Sequence, residues 1–270
     1  MKRQAAVLGS PIAHSLSPVI HLRAYEILGL PYDYQAVEVT REGLSSFLTQ
    51  ERLHDENTLG FSLTMPLKEE ICSPKFANLL NVDQRSQQIN SANTLYRDGD
   101  AWQATSTDVT GFEYLLSNRK FANVVILGSG GTARAVMAAR QIQGAEIRLF
   151  RRSSEIDEML RQSFPHLSLR FMDWNELDSS ISADILVNTV PNSGVEKVAL
   201  GEFPILLDAI YSPWMPTLSK RQMQVGGELL TGIDLLCAQA IYQVSLMTKE
   251  NFEFEFMFNA MKKVALAQLV

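Results

Sequence analysis

Short apolar runs alternate with longer amphipathic segments along the first hundred residues. The runs predict strands, and the segments with apolar residues at helical spacing predict helices. In chain order these predictions are a strand at 5–9, a helix at 18–28, a strand at 32–39, a helix at 41–49 and a strand at 59–63. Asp98-Gly99 separates two strand-like halves of 93–105, which predicts a hairpin turn and an antiparallel edge. The pattern indicates an α/β layer.

A second alternation follows a helix predicted at 108–116. Its first strand runs into a glycine-rich turn and a helix predicted at 132–142. The predicted strands of this series are 124–128, 146–150, 167–171, 184–188 and 205–210. Their spacing leaves room for helical crossovers, so the series predicts a parallel, doubly wound sheet. Two helices, at 234–248 and 254–269, complete the chain and are candidates to pack back onto the first domain.

Composition narrows the classes of partner. The 270 residues are 46% hydrophobic and 20% charged, which is typical of a globular protein with a packed core. The net charge of −6 argues against a nucleic-acid partner, because binding a polyanion needs a basic face. No run approaches the roughly 18 apolar residues of a membrane span, and the N-terminal apolar stretch breaks at Gly9 and Pro11. We therefore expect a cytoplasmic protein with neither nucleic-acid nor membrane partners.

The two cysteines offer no disulfide and no metal site. Cys72 and Cys237 are far apart in the chain, neither belongs to a CxxC pair, and no histidine stands beside them. Isolated cysteines of this kind are typically reduced and structural. We predict that the protein has no disulfide and binds no metal.

The segment VVILGSGGTARAV lies between a predicted strand and a predicted helix. Gly128, Gly130 and Ala133 in this segment fit the G-x-G-x-x-G/A fingerprint of dinucleotide-binding folds. Such a loop needs a tight turn at the first glycine, access to the backbone at the second, and a small residue where helix meets strand. The helix N-terminus then offers amide donors to phosphates. The segment predicts a dinucleotide cofactor.

The end of the following strand indicates which dinucleotide binds. An acidic residue about 20 residues beyond the loop would bind the ribose hydroxyl of NAD. This chain instead has the sequence FRRSS at 150–154, with no carboxylate. Guanidinium and hydroxyl groups are suited to a 2′-phosphate. The sequence therefore predicts NADP rather than NAD.

Two polar features of the first hundred residues are typical of a substrate site. Lys68 follows a strand-like run and a proline turn in GFSLTMPLKEE, and reactive side chains often occupy such loops. Ser15 and Ser17 alternate in GSPIAHSLSPVIH, so on an extended segment both hydroxyls would face one side. This arrangement suits a carboxylated or polyhydroxylated ligand. The same pattern is also good turn and N-cap chemistry.

Eight short motifs occur in a characteristic order, and their combination is far more specific than any one of them. They are GSPIAHSLSP, GFSLTMPLK, NSANT, STDVTGF, GSGGTARA, VNTVP, DAIYSPWMPT and GIDLLCAQA. From Gly9 to about Gln243 the chain resembles the shikimate dehydrogenase family. The resemblance implies a reversible NADP-linked interconversion of 3-dehydroshikimate and shikimate, a step on the route to chorismate and the aromatic amino acids.

The resemblance implies catalytic roles for Lys68 and Asp108. In the family the matching lysine and aspartate lie beside the substrate hydroxyl that is oxidised. A carbonyl that gains hydride develops negative charge on its oxygen, which a positioned ammonium stabilises and protonates. Asp108 would hold the lysine and the substrate hydroxyl in register, while the nicotinamide supplies the hydride.

The remaining site positions are also implied by the family motifs. The expected substrate-binding residues are Ser15, Ser17, Ser62, Thr64, Asn93, Tyr211 and Gln239. The expected NADP-binding residues are Gly128, Gly130, Gly131, Thr132, Ala133, Arg151, Arg152, Ser153, Thr189 and Gly232.

Several positions depart from the family pattern. Ser62 stands where the family usually has asparagine, and Ser106 and Val109 change an NTDG motif to STDV. A serine still donates and accepts a hydrogen bond, but with a shorter reach. Arg151 replaces an asparagine, and Ile156 replaces a second arginine often found a few positions later.

The sequence thus predicts an α/β protein of two domains, acting on a small molecule as a monomer or a homodimer. Residues 1–105 with 235–270 are expected to form an α/β substrate-binding and catalytic domain. Residues 106–234 are expected to form a doubly wound, Rossmann-type NADP-binding domain. The nearest alternative function is a quinate or quinate/shikimate dehydrogenase, which often prefers NAD. The arginine pair argues against this alternative.

A sensor and a folate enzyme are more distant candidate functions. A catalytically silent sensor of NADP or of a cyclic hydroxy acid would not need both Lys68 and Asp108. A folate-handling dehydrogenase of related architecture would require a different substrate lobe.

Overall fold

The structure is a computed structural model, and it describes residues 2–269. The twelve strands of these residues form two six-stranded sheets. In chain order the strands are β1 (Gln4–Gly9), β2 (Asp33–Glu38), β3 (Thr58–Leu63), β4 (Asn81–Val82), β5 (Thr94–Asp98), β6 (Ala101–Thr105), β7 (Asn123–Leu127), β8 (Glu146–Arg151), β9 (Ser168–Asp173), β10 (Ile185–Asn188), β11 (Ile205–Asp208) and β12 (Glu228–Thr231).

The α-helices fill the intervals between these strands and form the end of the chain. They are α1 (Ser17–Ile27), α2 (Leu44–Phe47), α3 (Gln50–His54), α4 (Leu67–Glu70), α5 (Gln84–Ile89), α6 (Thr107–Leu115), α7 (Gly131–Met137), α8 (Asp157–Ser163), α9 (Asn192–Val195), α10 (Thr217–Val225), α11 (Gly232–Thr248) and α12 (Phe254–Ala267).

The chain divides into two units. The first comprises the residues up to Gly111 and those from Leu236 onward, and the second comprises Phe112–Leu235. The sequence placed the two divisions nearby, at 105/106 and 234/235.

The sheet of the first unit has the strand order β2-β1-β3-β5-β6-β4. β1 pairs in parallel with β2 and β3, whereas β5 is antiparallel to both β3 and β6. The predicted hairpin is confirmed: Gly99 has a φ of +59° in its turn, a conformation that glycine adopts without a Cβ penalty. The hairpin lies next to the edge, which is formed by the two-residue β4.

Strand β3 lies inside this sheet, and all six of its residues are buried. Its apolar side chains pack into a core with residues from β1, β5 and β6, including Leu8, Phe61, Leu63, Leu95 and Trp102. Residues that follow directly on β3 are therefore fixed to a rigid element.

The sheet of the second unit has the order β12-β11-β10-β7-β8-β9, and every pair is parallel. In chain order this is the 3-2-1-4-5-6 arrangement of dinucleotide-binding folds, so the predicted doubly wound sheet is confirmed. Strand order reverses between β7 and β10, where such sheets bind ligands at the carboxyl ends of the strands. The prediction missed β12, a four-residue strand whose side chains are at most half-buried.

Two predicted helices were wrong in extent. Of the helix expected at 41–49 only the four residues of α2 are α-helical, and Thr40 Oγ1 accepts from Gly43 N and holds a turn before α2 begins. The helix expected at 132–142 ends at Met137, and a short 3₁₀ turn follows. Gln143 Nε2 donates to the carbonyls of Met137 and Ala139, at 3.1 Å each, and so satisfies acceptors that a longer helix would have paired.

The two terminal helices are present as predicted, as α11 and α12. α12 packs against α1 within the first unit, which confirms the expectation that the end of the chain returns to the first part of the fold. Among residues 2–269 no helix combines the length and apolar character that crossing a bilayer requires.

Candidate active site

Lys68 and Asp108 form an ion pair in the first unit. Lys68 lies on α4, directly after β3, and Asp108 is the second residue of α6, directly after β6. Lys68 Nζ donates to Asp108 Oδ2 at 2.6 Å, and the two side chains are 19% and 7% exposed. The structure therefore brings the two predicted catalytic residues together, with the ammonium more accessible than the carboxylate.

Backbone hydrogen bonds bring these distant segments together. Leu63 N donates to Asn93 O at 2.7 Å, and Ala92 N donates to Lys68 O at 2.8 Å. Asn93 N in turn donates to Thr105 O at 3.1 Å, just before α6 begins. The ends of three strands thus fix where Lys68, Asn93 and Asp108 lie.

Asn93 is the centre of a buried polar cluster. Its Nδ2 donates to Asp108 Oδ1 at 2.9 Å and to Gln239 Oε1 at 3.1 Å. Its Oδ1 accepts from Thr107 N at 2.7 Å and from Thr94 Oγ1 at 2.9 Å. Every polar atom of the amide is satisfied, which holds the carboxylate of Asp108 in one orientation. The predicted residues Asn93 and Gln239 thus belong to one cluster with the ion pair.

A further set of buried residues continues the cluster away from Lys68. Gln243 Nε2 donates to Thr94 Oγ1 at 3.1 Å, and Gln243 Oε1 accepts from Ser62 Oγ at 2.8 Å. Ser62 Oγ accepts from Tyr34 Oη at 2.7 Å. The predicted substrate residue Ser62 therefore directs its only hydroxyl proton to Gln243. The sequence prediction missed Gln243, although two glutamines spaced i, i+4 on the apolar helix α11 were a visible signal.

The predicted serine pair does not lie on an extended segment, and that geometry was wrong. Ser17 is the first residue of α1, and the preceding Leu16 has helical dihedral angles. Ser15 Oγ accepts from Ser17 N at 3.3 Å, the local turn bond that competes with extended structure. Ser15 is half-buried and Ser17 is buried.

His21 packs beneath this turn. Its Nδ1 lies 2.8 Å from Ser17 O, and because a carbonyl only accepts, Nδ1 carries the proton. The ring stacks on Tyr34 at a centroid distance of 3.9 Å. Complete burial lowers the pKa of His21 to about 4, against an ordinary 6.5, so the ring is neutral at pH 7.

Thr64 is held by close packing against the end of β1. Its backbone N donates to Leu8 O at 2.9 Å. A Cβ at Gly9 would lie 2.3 Å from Thr64 Cγ2, so only glycine fits there. Ser106, the departure beside Asp108, has a buried Oγ with no hydrogen-bond partner among the described residues. Val109, which follows Asp108, is fully buried.

The predicted glycine loop of the second unit lies between β7 and α7. Gly128 has a φ of +100°, and a Cβ there would lie 2.6 Å from Thr189 Oγ1, so both conformation and space require glycine. A Cβ at Gly130 would meet nothing within 4 Å, so the backbone faces open space. Ala133 is fully buried. Gly131 and Thr132 are the first two residues of α7. The loop has the features that its fingerprint predicts.

Thr189 lies at the point where strand order reverses. Its backbone N and its Oγ1 both donate to Leu127 O, at 3.0 Å and 2.7 Å. Asn188 holds the next residue, with Nδ2 donating to Val190 O at 3.2 Å and to Asp208 Oδ1 at 2.9 Å. Burial raises the pKa of Asp208, and Ser219 Oγ donates to its second oxygen at 2.8 Å. The sequence prediction did not include Asn188 or Asp208.

Arg151 is committed to two carboxylates. Its Nε and Nη2 donate to Asp157, the latter at 2.7 Å, and its Nη1 donates to Asp173 Oδ1 at 2.6 Å and to Met172 O at 3.0 Å. Bonding to Asp157 raises the pKa of Arg151 above its ordinary value. The expectation that Arg151 offers its guanidinium to a phosphate does not fit these bonds.

The neighbouring residues of that turn remain exposed. Arg152 and Ser153 are both exposed, and Ser153 Oγ accepts from Glu155 N at 3.2 Å. Two other predicted residues also lie in the second unit. Tyr211 follows β11, and Gly232 begins α11, where a Cβ would lie 2.7 Å from Ala209 O.

Comparisons with known proteins agree over the length of the chain. A family model described as the shikimate dehydrogenase substrate binding domain matches residues 7–95. A shikimate dehydrogenase (NADP(+)) from Shouchella clausii is 30% identical over 263 residues, which cover 92% of this chain and 94% of that protein.

Solved structures are similar in fold as well. The crystal structure of the Mycobacterium tuberculosis shikimate dehydrogenase is 31% identical with a TM-score of 0.81, covering 98% of this chain and 99% of that one. The shikimate 5-dehydrogenase of Thermus thermophilus, solved in complex with NADP(H) and shikimate, is 27% identical with a TM-score of 0.78, covering 98% and 100%.

Proposed function

The chain belongs to the shikimate dehydrogenase family, and on this premise we propose that it catalyses the reversible NADP-linked reduction of 3-dehydroshikimate to shikimate. This reaction converts a ring carbonyl to a secondary alcohol. The observation that carries the proposal is the 2.6 Å ion pair between Lys68 and Asp108, whose carboxylate is held by Asn93. A lysine that is partly exposed beside a buried carboxylate is poised to exchange a proton with a bound hydroxyl.

Lys68 acts on the oxygen of the reacting carbon. During reduction that oxygen gains negative charge, and the ammonium of Lys68 stabilises the charge and delivers a proton to it. In the oxidative direction the same nitrogen accepts the hydroxyl proton. NADPH, when bound, supplies the hydride.

Asp108 and its neighbours orient the lysine. The buried carboxylate accepts from Lys68 through one oxygen and from Asn93 through the other, so its plane is fixed. Asn93 is fixed in turn by Gln239 and by the backbone of Thr107. A pre-oriented acid saves the reorganisation that a mobile surface lysine would require.

The second unit offers two features that suit NADP, which are the exposed backbone of the glycine loop and the exposed side chain of Arg152. We propose that Gly128, Gly130, Gly131, Thr132 and Ala133 form the pyrophosphate site, because the loop exposes its backbone at Gly130. Thr189 and Gly232 then flank the nicotinamide end of the site. Arg152 and Ser153 are proposed to bind the 2′-phosphate, since both are exposed. Arg151 supports this turn through Asp157 and Asp173.

The substrate is proposed to bind to the first unit. Ser15 and Ser17 are assigned to the carboxylate, and Thr64, Asn93 and Gln239 to the ring hydroxyls. The location of the family model, at residues 7–95, supports this division of labour. The role of Tyr211 stays a prediction from its motif.

The proposed function is tested by an absorbance assay with purified protein. Shikimate and quinate are each offered with NADP and with NAD, and formation of the reduced cofactor is followed. We expect turnover with shikimate and NADP, with kcat/KM at least about tenfold lower for each other pair, the equivalent of about 1.4 kcal/mol in transition-state binding. Preferred use of quinate would instead favour a quinate/shikimate dehydrogenase.

Binding without turnover would favour a different class of protein. If NADP binds tightly in a fluorescence titration but no pair reacts, the protein is a sensor rather than an enzyme. The ion pair of Lys68 and Asp108 argues against that outcome, because a sensor has no need of a buried acid-base pair.

A further inference from the structure

We propose that Gln243 is a positioning residue for catalysis, acting with Ser62 and Thr94 to hold Asn93 in place beside Asp108. This inference rests on the proposed function, since it concerns the ion pair that Asn93 holds. Gln243 is buried on α11, and its side chain lies between Ser62 on β3 and Thr94 on β5. Both ends of its amide are bonded within the protein, so the side chain acts on its neighbours rather than on a ligand.

The directions of the hydrogen bonds follow from a group that can only accept. Asn93 O is a backbone carbonyl, and it lies 3.3 Å from Gln243 Nε2. The amide nitrogen of Gln243 must therefore face Asn93, which leaves Gln243 Oε1 facing Ser62. Since Oε1 only accepts, the Ser62 hydroxyl donates to it and accepts from Tyr34. The amide of Gln243 has one allowed orientation.

The same logic continues toward the ion pair. The second proton of Gln243 Nε2 goes to Thr94 Oγ1, and that hydroxyl lies 2.9 Å from Asn93 Oδ1, which also accepts from the backbone N and the hydroxyl of Thr107. With Oδ1 occupied, Asn93 presents Nδ2 to Asp108. Hydrogen bonds thus connect Tyr34 through Ser62, Gln243, Thr94 and Asn93 to the carboxylate that holds Lys68.

Close helix packing makes these connections possible. A Cβ at Gly60 would lie 2.7 Å from Met247 Cγ, and a Cβ at Gly111 would lie 3.0 Å from Gln239 N. These two glycines let α11 approach both β3 and α6, so that a glutamine on α11 reaches a short serine on β3. The family resemblance places an asparagine at position 62. Here position 62 is a serine, and its hydroxyl donates to the amide oxygen of Gln243 at 2.8 Å.

The experiment compares Gln243→Leu with Gln222→Leu. Gln222 is a buried glutamine of the second unit whose Nε2 donates to Phe203 O and Glu228 O, so its loss has a similar structural cost. We expect Gln243→Leu to lower kcat about tenfold and to move the pH profile of kcat by about half a pH unit or more, because the Asn93 amide that donates to Asp108 is then held less firmly. Gln222→Leu should leave the pH profile unchanged.

A rescue separates positioning from packing. In the double variant Ser62→Asn/Gln243→Ala, the amide is moved from α11 to β3, and we expect kcat to return to within about threefold of the wild type. Thr94→Val removes the hydroxyl that connects Gln243 to the Asn93 side chain, with little change of shape. It serves as the second variant if Gln243→Leu does not fold, with the same expected change in the pH profile.

An NMR measurement keeps the inference testable without turnover. The Asn93 side-chain NH₂ signals, identified by their loss in Asn93→Asp, should shift in Gln243→Leu and stay in place in Gln222→Leu. If the wild type does not oxidise shikimate, the proposed function is wrong, but the Asn93 NH₂ signals can still be compared between the variants. The inference is overturned if Gln243→Leu leaves both the Asn93 signals and the pH profile as in the wild type.

Discussion

The surroundings of Lys68 differ from the predicted NADP site, which comprises the glycine loop at 128–133 and the turn at 150–154. The two regions hold their functional groups in different ways. Around Lys68, the buried Asn93 side chain bonds to Asp108 and to Gln239, and Gln243, on the same helix α11 as Gln239, donates to the Asn93 backbone carbonyl. The predicted NADP site instead exposes the backbone of Gly130 in the glycine loop and the side chain of Arg152 in the turn after β8.

This difference follows from what each region must do. A group that transfers a proton must be held to a fraction of an ångström, and a fully satisfied buried network gives that precision. A cofactor phosphate is bound by backbone donors and an exposed cation, which need only an open loop of the right shape. Substitutions around Lys68 should therefore change kcat, whereas substitutions at the turn should change the affinity for NADP.

The largest effect is expected from removing the reactive nitrogen of Lys68. Lys68→Met keeps the length of the side chain but removes the proton donor, so we expect kcat to fall about 1,000-fold with NADP affinity unchanged. Lys75→Met is the matched control, because Lys75 pairs with Glu70 on the surface. Steady-state kinetics and a fluorescence titration with NADPH measure the two quantities. A loss of kcat below tenfold would mean that another group donates the proton.

The second effect tests the exposed turn. Arg152→Ala should raise the KM for NADP about 10- to 100-fold and leave the KM for NAD nearly unchanged, since a charge-assisted bond to phosphate contributes about 1.5–3 kcal/mol. Arg170→Ala, at another exposed arginine of the same unit, is the control. An equal rise for both cofactors would contradict a 2′-phosphate role for Arg152.

Arg151 sharpens that test, because its bonds assign it a supporting role. Arg151→Ala should weaken NADP and NAD to a similar degree, by loosening the turn that Asp157 and Asp173 hold. Selective loss of NADP in Arg151→Ala would restore the expectation from sequence that this arginine binds the phosphate.

The third effect concerns the pH dependence of stability in the first unit. Unfolded His21 binds a proton below about pH 6.5, whereas the native ring resists protonation down to about pH 4. The unfolded state therefore binds more protons in this window, and stability falls as pH falls. The loss between pH 7 and pH 5 is about 2 kcal/mol.

The His21 variant isolates this contribution. In His21→Gln the pH dependence of the unfolding free energy, measured by urea denaturation, should be flatter by that amount. His14→Gln, at an exposed histidine, is the control and should keep the wild-type slope. Equal slopes in all three proteins would show that His21 is not the group responsible.

The smallest expected effect lies far from both sites, on the surface of the second unit. Arg119 donates to both oxygens of Glu228, at 2.7 Å and 2.6 Å, and the pair is largely open to solvent. Arg119→Ala should cost less than about 1 kcal/mol of stability and leave kinetics unchanged, because water screens exposed ion pairs. Thermal denaturation measures the cost, and a larger loss would mean that the bidentate geometry matters here.

Local patterns predicted much of this protein. The hairpin at Asp98-Gly99, the parallel sheet of the second unit and the glycine loop at Gly128 each follow from residues close together in sequence. The helix at 41–49 and the missing β12 failed for the opposite reason. The start of α2 depends on a side-chain bond of Thr40, and β12 forms by pairing with β11. The local apolar pattern contains neither of these interactions.

The candidate site divides in the same way. The apolar pattern predicted the order of elements, and the motifs pointed to Lys68, Asp108 and Asn93. The bond from Gln243 to a residue 150 positions away, and the bonds from Arg151 to carboxylates, follow only from the folded arrangement. The physical reason is that a polar side chain takes its role from the partner that satisfies it after burial, and packing of distant segments chooses that partner.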